Sequence, residues 1–250
     1  MSTIEDIQAD LARNEKGITC QTINNCMLVL QRDPLLKGAI RKNELSGKID
    51  VVGDLGWNRT SSSLTDTDVY QIQWYLEKNY GLKHDRNINK AMNMVANENK
   101  YHPIREYLEH LTWDGQSRIS FLLPKYLGAD ENTYTKEIMR LLMLAAIHRI
   151  YEPGCKFEIM VCLVGGQGAG KSTFFRFLAI HDEWFSDDLK RMDDENVYRK
   201  LQGHWIIEMS EMMATVNAKS IEDIKSFLSR QKETYKIPYE TQPEDRPRQC

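Results

Sequence analysis

The run Gly165-Gly166-Gln167-Gly168-Ala169-Gly170-Lys171-Ser172 matches GxxxxGK[ST] at every fixed position. That spacing suits a polyphosphate. Glycines let consecutive backbone N–H groups curl around phosphate oxygens, and a helix N-terminus adds positive potential. The ammonium of Lys171 reaches the β- and γ-phosphates, and the Ser172 hydroxyl can ligate magnesium. Thr173 follows directly and is grouped with the loop as a nucleotide contact. The ligand these residues imply is ATP with magnesium.

Such a loop works only between a strand that aims it and a helix that receives it. The apolar run Phe157 to Val164 predicts a strand buried on both faces. Thr173 to Leu178 predicts the start of the helix. A second strand is expected over Gly203 to Glu211, carrying two acids, Glu208 and Glu211. A strand that delivers an acid beside the phosphates provides for magnesium and for an attacking water. Residues 208 and 211 differ by an odd number and so point to opposite faces if both are extended. Glu211, at the strand end, is the first choice to orient the water and, with Ser172, to hold the metal. Glu208 either contacts magnesium or the water, or is a polar residue of the strand edge.

Beyond this lies a helix expected over Lys219 to Arg230, with Ile221, Ile224 and Leu228 inward. Lys225, Arg230, Lys232 and Lys236 give the segment a basic bias, continued by Arg246 and Arg248. Interleaved acids make a solvated face the plainer reading of composition. The six histidines form no HExxH pattern, and His102 and His204 read as structural. Arg105 and Glu106 are explained equally by packing and by service to a site. Trp113-Asp114-Gly115 reads as a turn with a buried indole.

The rest of the chain divides into a leader over 1–20, a mainly helical domain over 21–152 and an α/β domain over 153–250. Residues 3–13 are weakly helical. Thr22 can cap a helix to about Gln31, and 33–65 reads as turns with a small hairpin. Helices follow over 65–80, closed by Tyr80-Gly81, over 88–98, from Pro103, near 117–126, and over 133–150. Glu152-Pro153-Gly154 is the best boundary, because the pattern then changes to strand, glycine loop, helix and strand.

At 250 residues, core size is not limiting. A net charge of -3 argues against a wholly basic nucleic-acid surface but not against a local basic groove. Five scattered cysteines without CxxC spacing suggest free thiols in a reducing cytoplasm rather than zinc or disulfides. The polar, acidic start lacks the apolar stretch of a signal peptide. A cytoplasmic protein with no membrane partner is expected.

Several stretches carry a family resemblance. They are 101–119, YLGAD with Tyr134, 153–173, WFSD at 184–187, LQGHWIIEMSEM at 201–212, 224–239 and 245–250. These resemble the virulence-associated protein E family of phages and pathogenicity islands, itself similar to superfamily III helicases and mobile-element replication proteins. The resemblance implies a P-loop NTPase core in which Gly165 to Ser172 is the Walker A motif and Ser210-Glu211 ends Walker B. It also implies a DNA-contacting element at Lys225 and Arg230 to Lys236. In the family the chain continues past the DRPRQC-like sequence into a strand bearing a phosphate-sensing asparagine, then into arginines that complete a neighbour's site. With those parts absent, the expectation is a truncated core that binds ATP better than it hydrolyses it. A ring of copies is expected for the full protein and a monomer for this piece. A phosphotransferase, for which no arginine-rich lid is evident, and a nucleotide-controlled interaction module remain open beside the helicase-like DNA replication ATPase.

Overall fold

Side-chain caps open several helices in the computed structural model, which describes residues 3–189, 197–210, 218–235 and 244–250. The described residues form a mixed structure of helices and short two-stranded pairs. They divide into two units, Met1–Pro103 and Ile104–Cys250.

The first unit contains α1 (Ile4–Asp10), α2 (Ile23–Arg32), β1 (Ile40–Lys42), β2 (Ile49–Val51), α3 (Asp66–Tyr80) and α4 (Asp85–Glu98). Thr65 opens α3 with a reciprocal capping box to Asp68, and Gly81 closes it at φ 67°. Thr22 caps α2 through the Asn25 N–H. The core takes Val29 and Leu30 from α2, Ile72 and Leu76 from α3, and Ile88, Ala91 and Val95 from α4, at helical spacing. The expected hairpin is present, with Ile40 opposite Val51 and Lys42 opposite Ile49.

The leader expected over 1–20 is instead built into this core. Ile7 is fully buried. Buried Asn25 accepts from the Ala12 N–H and donates to the Ala12 and Cys20 carbonyls, tying the 11–20 loop to α2. A second buried polar residue, Asp33, accepts from the hydroxyls of Tyr75 (3.0 Å) and Tyr80 (2.6 Å). Burial and that hydrogen bond push the Tyr75 phenol up to about 12.

The second unit holds α5 (Pro103–Glu109), α6 (Leu122–Leu127), α7 (Thr133–Tyr151), α8 (Lys171–Leu178), β3 (Phe185–Ser186), α9 (Val197–Leu201), β4 (Ile206–Ile207), α10 (Ala218–Ser229), β5 (Lys232–Tyr235) and β6 (Glu244–Pro247). Leu123 of α6, Met139 of α7 and Phe174 of α8 form one buried cluster. That packing keeps α6, α7 and α8 together within the Ile104–Cys250 unit. Glu152-Pro153-Gly154 ends α7 but does not separate it from the glycine loop and α8.

β3 and β4 pair in parallel, Phe185 beside Ile206 and Ser186 beside Ile207. β5 and β6 pair antiparallel from Lys232–Pro247 to Tyr235–Glu244. The strand expected over 157–164 is not formed. These residues make no ladder hydrogen bond among the described residues, and Val164 is 85% exposed. Apolar character alone does not make a strand: it needs a partner edge, and the described strands pair with one another. No helix among the described residues is long and apolar enough to cross a membrane.

Candidate functional site

Helix α8 starts at Lys171, directly after Gly170, whose φ of 79° is the left-handed entry that a glycine adopts without steric cost. Gly168 has the same φ. A Cβ placed on Gly165, Gly166, Gly168 or Gly170 would meet nothing within 4 Å, so the loop borders open space along its length. Phe174 anchors the helix in the unit's core one turn on. Arg176 ties the far end of α8 to Asp182 at 2.7 Å and to Asp187 at 3.4 Å, over the ring of Phe185.

Lys171 turns back onto its own loop, donating from Nζ to the Gly165 carbonyl (2.8 Å) and the Gly166 carbonyl (2.7 Å). Ser172 Oγ donates to Glu208 Oε1 at 2.6 Å. Glu208 is delivered there by the parallel pair. Its N–H donates to the Ser186 carbonyl (2.8 Å), extending the β3–β4 ladder by one step, as Trp205 N–H to the Trp184 carbonyl (2.8 Å) begins it. The indoles of Trp184 and Trp205 are buried below, and Trp205 Nε1 donates to the Ala146 carbonyl of α7 at 2.9 Å.

Glu208 Oε2 is buried and has no hydrogen-bond partner among the described residues. A buried, unpartnered oxygen costs stability unless something occupies it. Together with the Ser172 hydroxyl it offers the hard oxygen donors that magnesium takes. Among the described residues no group of three or more acids, histidines or cysteines gathers there, so a metal would draw its remaining ligands from phosphate and water. Of the two acids expected on this strand, Glu208 is joined to Ser172, and Glu211 lies outside the described residues.

The basic segment is charge-compensated. Lys225 pairs with Glu222 at 2.9 Å. Arg230 donates to the Tyr198 hydroxyl (2.8 Å) and lies 3.9 Å from Glu233, and Lys232 pairs with Asp245. Lys236 lies outside the described residues. Arg248 forms a buried pair with Glu233, so this end of the hairpin serves packing.

Sequence reasoning passed over Arg149. Buried in the last turn of α7, it donates to the Phe157 carbonyl (3.0 Å) and to the Cys250 carbonyl, steadying the entry to the segment that leads to the glycine loop. Burial lowers its pKa. Its signal was an arginine in an otherwise apolar helix stretch. The Trp113 turn is present, with Asp114 accepting from Gln116 N–H (3.0 Å) and Gly115 at φ 82°. Its indole, however, is 79% exposed, not buried. His204 Nδ1 contacts the Lys200 carbonyl at 2.9 Å, a structural role, and Arg105 donates to the Ile150 carbonyl (2.8 and 2.6 Å).

Comparison with known families finds that the virulence-associated protein E-like domain matches residues 108–250, more than half of the chain. No curated protein matches the chain.

Proposed function

For a chain that belongs to the virulence-associated protein E-like family, we propose ATP binding and hydrolysis at Gly165 to Ser172, in a helicase-like role in DNA replication of a phage or other mobile element. One observation carries the reading. The first-turn serine of a helix that follows an open glycine loop is hydrogen-bonded at 2.6 Å to an acid at the end of a strand, and that acid's second oxygen is buried and unpartnered among the described residues.

In this reading the loop N–H groups and the N-terminus of α8 receive the β- and γ-phosphates. Lys171 releases its two carbonyl partners and pairs with phosphate oxygens. Ser172 and Glu208 would hold magnesium, which would supply positive charge against the bound phosphates. Glu208 thereby takes the metal-binding role that the sequence pattern placed on Glu211, leaving Glu211 as the candidate to orient water. A core of the P-loop NTPase type is supported by the order glycine loop, α8, β3, β4 and by the parallel pairing of β3 with β4. DNA contact by Lys225, Arg230 and Lys232 would require them to exchange their present acidic partners for phosphates.

A fluorescent ATP analogue tests the binding claim. A charge-assisted hydrogen bond is worth about 1.5–3 kcal/mol, so Lys171→Ala should weaken binding roughly 10- to 150-fold. Equal affinity of the two chains would refute the assignment.

A further inference from the structure

Outside the glycine loop, the surface with the most unexplained chemistry lies on α3 and α4 of the first unit. Tyr70 and Trp74 stand one turn apart on α3 and are 66% and 58% exposed. They face away from the core that Ile72 and Leu76 enter. Lys78, a further turn along, sets Nζ 5.0 Å from the Trp74 ring centroid. Gln73 donates to Asn89 Oδ1 at 3.2 Å, which ties the solvent side of α4 to this stripe.

Arg86 and Lys90 flank Asn89 on α4. Both are exposed, and neither forms an ion pair with a described residue. Glu77 is engaged by Lys83 at 3.2 Å, Asp66 and Asp85 sit in the first turns of their helices, and α4 carries no acid between Asp85 and Glu98. Lys225, Arg230 and Lys232 of the second unit, by contrast, each have an acidic partner.

We propose that this face binds single-stranded nucleic acid, with bases stacking on Tyr70 and Trp74 and phosphates meeting Lys78, Arg86 and Lys90. Exposed rings interleaved with cations form the platform that single strands use, because every base has a face to stack and the backbone follows positive charge. A duplex keeps its bases stacked on one another and cannot use the rings. A hydrophobic helix partner would want a run of aliphatic side chains, and this face offers none on α3 and only Met94, 47% exposed, on α4. The proposal does not rest on nucleotide binding at the glycine loop.

The test is fluorescence anisotropy of a labelled short oligothymidylate with the whole chain, titrated at several salt concentrations. Trp74→Ala and Tyr70→Ala should each weaken binding about tenfold, and Trp74→Phe should retain most of the affinity. Each phosphate neutralised on a single strand contributes about 0.7 to the logarithmic salt slope, so joint Arg86→Ala and Lys90→Ala should flatten it by roughly 1.4. Lys171→Ala should bind the oligonucleotide like the unmutated chain, and thermal melts should show that all the variants fold. The proposal is overturned by absence of binding at low salt or by ring and cation variants that bind like the unmutated chain. It is also overturned by equal affinity for a duplex, or by Trp74→Ala dissociating a dimer that ignores the oligonucleotide.

Discussion

Replacing Gly154 with alanine should destabilise the Ile104–Cys250 unit by two separable amounts. Gly154 has φ 85°, and a Cβ there would lie 2.9 Å from the Gln231 carbonyl oxygen. That oxygen cannot simply retreat, because it accepts from Arg248 N–H at 2.9 Å while Gly154 N–H donates to the Arg248 carbonyl at 2.8 Å. The left-handed conformation costs an L-residue roughly 1–2 kcal/mol. Weakening the strained backbone hydrogen bond adds about 0.5–1.5 kcal/mol. The sum, roughly 1.5–3.5 kcal/mol, lowers the melting temperature by about 3–14 °C at the 2–4 °C per kcal/mol typical of this size. Gly115→Ala is the matched control: its φ is 82°, but its Cβ would meet nothing within 4 Å. Thermal unfolding followed by circular dichroism separates the two. If Gly154→Ala costs no more than Gly115→Ala, the crowding argument fails.

Two more outcomes rest on individual side chains. Burial raises the Asp68 carboxyl, but hydrogen bonds from Arg59, Trp57 and Thr65 outweigh it and hold the group well below the usual range. A depressed folded pKa contributes stability in full above the unfolded value near ~3.9 and loses it as pH falls below. Urea midpoints between pH 6 and pH 3 should therefore drop for the unmutated chain and drop less for Asp68→Asn. Ile180, half exposed just after α8, has φ 68°, which is strained for a β-branched residue. Ile180→Asn should raise stability by about 0.5–1 kcal/mol, read as a higher melting temperature.

The features legible in the sequence arise from local chemistry. Thr65, Gly81 and Thr22 cap helices because their side chains or missing Cβ act within a turn, and the left-handed Gly168 and Gly170 lead into α8 for the same reason. Features that depend on distant partners were not legible. Phe157 to Val164 has the composition of a buried strand but finds no partner edge among the described residues. Trp113 has the composition of a core residue but sits exposed on its turn. The contact of Glu208 with Ser172 was not legible from spacing, because it depends on the β3–β4 register that brings residue 208 there. The compensation of Lys225 and Lys232 likewise depends on which acids the fold sets beside them. Arg149 was masked by the apolar stretch around it, since only its long-range carbonyl partners reveal its role.

The central claim is most directly tested by measuring ATP affinity with and without magnesium in the unmutated and Glu208→Gln chains by titration calorimetry. Losing one charged metal contact of about 1.5–3 kcal/mol should remove roughly 10- to 150-fold of the tightening that magnesium produces. Magnesium should therefore tighten ATP binding strongly in the unmutated chain and far less in Glu208→Gln. Absence of ATP binding by the unmutated chain, or an undiminished magnesium effect in Glu208→Gln, would contradict the account.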